Sequence, residues 1–164
     1  MVVYHYKKPE LTHFAGCEQV LIRPIKYPII DTENSYISWM DYSEQLNVQD
    51  IAKINIYINC FKKLVKVPGD IIELGVFRGA NLKLLGLTYD YIEPHSSRNI
   101  LGFDTFEGFP EKQLNLDQEK NKSKTYSGEG NLDAAIRKMA NLKRDVRLIK
   151  GDVMETLPKF YEQW

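Results

Sequence analysis

Three short apolar runs in this sequence end in a glycine, a carboxylate or both: Glu73-Leu74-Gly75, Gly102-Phe103-Asp104 and Gly151-Asp152. A glycine at such a point lets a ligand reach the backbone, because no Cβ stands in the way. A carboxylate there can pair with a cation or accept from hydroxyls and amines. Glu73, near the tip of a buried run, is costly unless something pairs with it, and a ligand ammonium would serve; the competing use is to cap a helix N-terminus. Asp104 stands where a carboxylate takes two ribose hydroxyls, or where a loop aspartate bonds nearby amides. Asp152 can accept from an adenine amino group, or simply begin the next helix.

An ammonium, a ribose and an adenine together describe S-adenosylmethionine better than NAD. The turn after Glu73 carries Gly75 and Gly79, but Val76 and Phe77 occupy the middle of what would be a dinucleotide fingerprint. No Gly-Lys-Ser/Thr follows, so a phosphate-binding P-loop is excluded and nucleoside triphosphate hydrolysis with it. An NAD-dependent oxidoreductase ranks behind for want of G-x-G-x-x-G. Asp104 lies somewhat further from the glycine turn than the usual ~20 residues, and the segment 93–98 accounts for the excess.

These groups must be held by strands. Ile71–Val76, Asn99–Asp104 and Val146–Ile149 are short, apolar and rich in branched residues, as buried strands are. Helical spacing separates them. Ile51, Ile54, Ile58, Phe61 and Val65 share one face of a helix starting near Asn47 or Asp50 and stopped by Pro68-Gly69. Leu82, Leu85, Tyr89 and Ile92 mark a second helix, and Leu132, Ile136, Met139 and Leu142 a third, which Asn131 could cap. A last helix runs over about 153–163. Such alternation predicts an α/β fold, with parallel strands joined by crossover helices. Residues 107–130 are polar and predict a long surface loop, its Lys/Glu mixture solvated. Before about residue 35 the chain reads as irregular, with Pro9, Pro24 and Pro28 punctuating short extended or turn segments.

Composition narrows the function classes. The 164 residues suit one domain, and 43% hydrophobic with 27% charged residues excludes a disordered or low-complexity chain. Twenty-two basic and 22 acidic side chains cancel, which argues against nucleic acid or an anionic membrane as partner. No apolar run reaches the ~18 residues of a membrane span, and the N-terminal stretch lacks the apolar segment of a signal peptide, so the expected location is the cytoplasm. Cys17 and Cys60 are expected as buried, unpaired thiols; His5, His13 and His95 lack metal-ligand spacing. Tyr36, Trp39 and Tyr42 suit core or lid packing, with stacking on an acceptor as the alternative.

The segments Pro68–Gly79, Leu101–Pro110 (LGFDTFEGFP) and Lys150–Pro158 (KGDVMETLP) resemble the macrocin O-methyltransferase (TylF/MycF) family over roughly residues 48–164. That resemblance implies a Rossmann-like class I sheet and methyl transfer from S-adenosylmethionine to a sugar-like small-molecule hydroxyl. Glu73 and Gly75 would then serve the methionine end, Asp104 the ribose and Asp152 the adenine region, with Gly79 and Gly151 also cofactor-binding. Thr105 and Phe106 would line the pocket. Residues 1–45 would form a lid over a partial cofactor domain at 46–164. A magnesium ion is also implied, but its ligands lie on an Asp-rich strand that nothing here matches, so no metal ligand or catalytic base is assigned. The family's sheet has seven strands and only three are expected here. The expectation is therefore a sheet truncated after its third strand, with the first strand an unpaired edge open to another chain, a homo-oligomer included. On that basis the alternative function is a catalytically incomplete cofactor-binding module.

Overall fold

The computed structural model describes residues 9–14, 16–23, 47–109, 131–140 and 142–163. Along the chain run β1 (Glu10–Phe14), β2 (Cys17–Ile22), α1 (Val48–Leu64), β3 (Ile71–Leu74), α2 (Ala80–Ile92), β4 (Ile100–Asp104), α3 (Asn131–Met139), β5 (Val146–Lys150) and α4 (Val153–Gln163). They form one open sheet in the order β1-β2-β5-β4-β3. β3, β4 and β5 are parallel, as the alternating pattern predicts, while β1 and β2 are antiparallel additions.

The hairpin corrects the expectation of an irregular N-terminal stretch. Residues 10–22 pair with each other, Glu10 opposite Leu21, and β2 then pairs with β5, Gln19 opposite Ile149. Val20 and Ile22 are buried on one face of the sheet and Cys17 on the other. The sheet thus has five strands rather than three, and β5 is interior. β3 is one edge of the described sheet, as expected, and β1 is the other. Of the lid expected from residues 1–45, residues 1–8, 15 and 24–45, with Tyr36, Trp39 and Tyr42, lie outside the described residues, as do residues 110–130 of the expected loop.

Both faces of β4 and β5 are covered, which is why they read as continuous apolar runs, while β3 at the edge is only partly buried. On one face Ile100, Val146 and Leu148 meet Leu82 and Tyr89 of α2 and Ala135 and Met139 of α3. On the other Leu101, Phe103 and Ile149 meet Phe160 of α4, whose ring stands edge-on to Phe103 at 5.6 Å. α1 starts on a reciprocal capping box in which Asn47 and Asp50 each accept from the other's backbone N–H. Its buried face is narrower than the helical spacing predicts. Phe61 is buried and stacks on Tyr89 at 5.7 Å, but Ile51 and Val65 are 55% and 48% exposed. The reason is that α1 rests chiefly on one neighbour, α2. Both thiols are free as expected, although Cys60, on α1, is exposed.

Two arginines fasten the opposite end of the sheet from the strand tips. Arg98 donates to the carbonyls of Gly69 (2.9 Å) and Leu64 (2.8 Å), tying the end of α1 to the start of β3. Arg144 binds Asp90 and the carbonyls of Ser96 and Glu93, with its guanidinium 3.8 Å from the centre of the Tyr89 ring. No helix of the described residues is long and apolar enough to cross a membrane.

Gly102 sits between Glu73 and Leu148 in the ladder, where a Cβ would come within 2.7 Å of Val76, 2.8 Å of Leu82 and 3.0 Å of Leu148. Gly102→Ala therefore overpacks the first face. Urea denaturation of the variant is expected to show a loss of about 2 kcal/mol, and unchanged stability would mean that this face yields more readily than its packing indicates.

Candidate functional site

Parallel pairing sets the three strand tips level, with Leu74 opposite Phe103 and Phe103 opposite Ile149. The ladder then runs one bond into the turns: Gly75 N–H donates to Phe103 O (2.8 Å) and Gly151 N–H to Asp104 O (3.0 Å). Beyond those bonds lies a cleft of about 300 Å³. Its wall contains five of the eight residues expected at the site: Gly75, Asp104, Thr105, Gly151 and Asp152. Phe77, Phe103, Phe109, Val153 and Asn131 complete most of the rest.

Asp104 is the hub. Its Oδ2 accepts from Phe77 N–H at 2.8 Å, across from the β3 turn, and its Oδ1 from Phe106 N–H at 2.7 Å. Among the described residues Phe77 and Phe106 are the non-glycine residues with positive φ, at 53° and 56°. Each left-handed residue costs about 1–3 kcal/mol, and a hydrogen bond to a charged group returns a comparable ~1.5–3 kcal/mol. The amide-bonded loop aspartate is thus present; Oδ1 also lies 3.5 Å from the Thr105 hydroxyl, and a carboxylate oxygen bonded to one amide keeps capacity for a further donor.

Asp152 likewise fulfils its capping alternative: Oδ1 accepts from Met154 N–H at 2.9 Å, and its carbonyl accepts from Thr156 N–H at 2.8 Å at the start of α4. Thr105 lines the cleft while its hydroxyl closes the local turn, donating to Gly108 O (2.5 Å) and accepting from Glu107 N–H (3.3 Å). Glu107 in turn meets Lys150 Nζ at 2.7 Å, an ion pair that bridges the tips of β4 and β5 and holds the lysine's pKa above its usual range.

Three expected site residues sit outside the cleft wall. Phe106 is buried in the core. Gly79, at φ 75°, precedes α2, and a Cβ there would meet the Ala135 backbone at 3.0 Å, so its role in the structure is close packing of α2 on α3. Gly75 contrasts with it: at φ 86° it faces open space, with nothing within 4 Å of a Cβ position. Glu73 is the third. It lies two residues before Gly75 on the face toward α1 and α2, where Oε1 accepts from Asn81 Nδ2 and Oε2 is buried with no hydrogen-bond partner among the described residues. Burial raises its pKa most; the Asn81 bond and the Lys53 charge pull it back, and the Asp104 charge raises it.

The aromatic walls carry no signal in the sequence, where Phe77 and Phe109 read as ordinary apolar positions. Asn131 does not cap α3 from outside but is its buried first residue, accepting from Arg78 Nε at 3.1 Å. Among the described residues no three His, Cys, Asp or Glu side chains are grouped to hold a metal ion, so these residues do not fit the implied magnesium.

A model of the macrocin-O-methyltransferase (TylF) family matches residues 52–163, which contain every cleft residue named above. The fold is similar to that of the calicheamicin methyltransferase CalS11, at 24% identity and a TM-score of 0.55 over 84% of this chain and 56% of that one. An apo structure of CalS11, described as a TDP-rhamnose 3′-O-methyltransferase, aligns at 22% identity and a TM-score of 0.49, covering 84% and 55%. The O-methyltransferase NovP aligns at 23% and 0.49, covering 65% and 47%. The chain spans about half the length of these solved structures. No curated protein matches it.

The raised pKa of Glu73 carries a sign that can be measured. The folded chain binds this proton more tightly than the unfolded chain does, so ionised Glu73 lowers the stability of the ligand-free protein at neutral pH. That penalty is relieved as pH falls through the raised folded pKa toward the unfolded value. Urea denaturation against pH should show Glu73→Gln lacking this acid-side gain, with its stability advantage over the parent largest near neutrality. An advantage that is independent of pH would refute the ionised, unpartnered carboxylate.

Proposed function

Because the chain belongs to the macrocin O-methyltransferase (TylF) family, we propose that its cleft binds S-adenosylmethionine and serves O-methylation of a small, sugar-like hydroxyl acceptor. The observation that carries this reading is the convergence of Gly75, Asp104 and Asp152 on one cleft at the level tips of three parallel strands, the place where open α/β sheets take ligands.

The residues suit the parts of that cofactor. Gly75 leaves the backbone of the first turn open to close approach. Glu73 supplies an unpartnered carboxylate oxygen for an ammonium, which would offset the desolvation it suffers in the ligand-free chain. Asp104, held rigid by two amides, accepts from ribose hydroxyls with its remaining lone pairs. Phe77, Phe103, Phe109 and Val153 offer apolar walls for a purine and exclude water from it, and Asp152 accepts at its amino edge. When bound, S-adenosylmethionine supplies a methyl group on a sulfonium, an electrophile that needs chiefly alignment with the acceptor oxygen. The described part of this chain contributes binding and orientation; the acceptor-activating base is assigned to none of its residues.

Calorimetric titration with S-adenosylhomocysteine tests the proposal. The parent chain should bind one equivalent, and Asp104→Asn, shown folded by circular dichroism, should bind about tenfold or more weakly, because one carboxylate oxygen becomes a donor. A folded parent that binds no S-adenosylhomocysteine, or an Asp104→Asn chain that binds it equally well, would overturn the assignment.

A further inference from the structure

The carboxylate of Glu73 is not held by its own strand. Asn81, in the first turn of α2, donates its Nδ2 to Glu73 Oε1, and the hydroxyl of Tyr57, from α1, donates to Asn81 Oδ1. An asparagine amide has a donor end and an acceptor end, and either could face a neighbour. Ionised Glu73 can only accept, so it takes the NH2 end, and the Tyr57 hydroxyl, donating to the opposite end, holds the amide in that direction, where it favours the ionised carboxylate. Lys53 lies one helical turn before Tyr57, its Nζ 5.9 Å from the centre of the Tyr57 ring, and its charge acts on Glu73 in the same sense. Asp104 of β4 acts in the opposite sense. The groups that set the state of Glu73 therefore come from three elements, and among the described residues the one that holds the acceptor end of the amide, Tyr57, is on α1.

We propose that Tyr57 is a positioning residue that acts through Asn81 to keep Glu73 ionised and aimed at the ammonium of the bound cofactor, so that the seating of α1 on α2 governs recognition of the cofactor's amino-acid end. This rests on the cofactor reading above and extends it to a residue outside the cleft. Loss of the Tyr57 hydroxyl frees the amide to rotate. Its carbonyl end then competes for Glu73, and the carboxyl holds its proton to higher pH.

The test compares two ligands that share adenosine and thioether. S-adenosylhomocysteine carries the amino-acid end and 5′-methylthioadenosine lacks it. In Tyr57→Phe, which keeps the ring that packs between the helices, affinity for S-adenosylhomocysteine should fall about fivefold, as expected for one hydrogen bond's net worth, while that for 5′-methylthioadenosine stays the same. The acidic loss of S-adenosylhomocysteine binding should begin at higher pH in the variant than in the parent, with no such shift for 5′-methylthioadenosine. In an Asn81→Ala background, adding Tyr57→Phe should change nothing further. Equal loss for both ligands, an unmoved pH profile, or an additive double variant would overturn the positioning role while leaving the cofactor reading in place. Failure of the folded parent to bind either ligand would remove that reading, and this inference with it.

Discussion

One carboxylate joins the two turns on which the cleft depends. Asp104 ends β4, yet its oxygens bind the backbone of Phe77 in the turn after β3 and of Phe106 in its own turn. Both phenylalanines hold a conformation that side chains disfavour. A half-buried acid at a strand tip thus does structural work first, and the shape of the cleft, with Gly75 facing it and Phe77 lining it, follows from that work.

Glu73 shows the complementary strategy. Where Asp104 has its oxygens met by amides, Glu73 keeps one oxygen buried and unmet among the described residues. An unsatisfied buried charge is poor for folding and favourable for binding, since a cation arriving there regains what folding gave up. The two acids are close enough for the charge of one to raise the pKa of the other. One stabilises the scaffold, while the other, on the proposed reading, meets a ligand's ammonium.

The sequence made the strand tips legible because their signal is local: an apolar branched run, then glycine or acid, at β3, β4 and β5 alike. It left each acid's role open between ligand contact and local cap, and at Asp104 and Asp152 the local bonds exist within the cleft wall itself. Less legible were the features that depend on distant partners. Residues 10–22 carry short apolar pieces near Pro9 and Pro24, and only the far-off edge of β5 makes them strands. Gly79 looked like a glycine for ligand approach, but the nearby backbone is that of Ala135. Ile51 and Val65 share helical spacing with Phe61 without sharing its burial, since spacing gives a face and not the width of what covers it.

The hairpin has a further consequence, for the order in which the fold can assemble. β2 lies near one end of the chain, and its partner β5 lies near the other, almost the whole sequence away. The crossover units from β3 to β5 join neighbours along the chain, whereas β2 has only β1 until Val146–Ile149 has been synthesised. A two-stranded hairpin alone is marginal in water, and closing so long a loop carries an entropic cost that local pairings do not. The hairpin strands, made before β3, β4 and β5, are therefore secured only after them, and Cys17, Val20 and Ile22 stay wet until the rest of the sheet has formed to receive them.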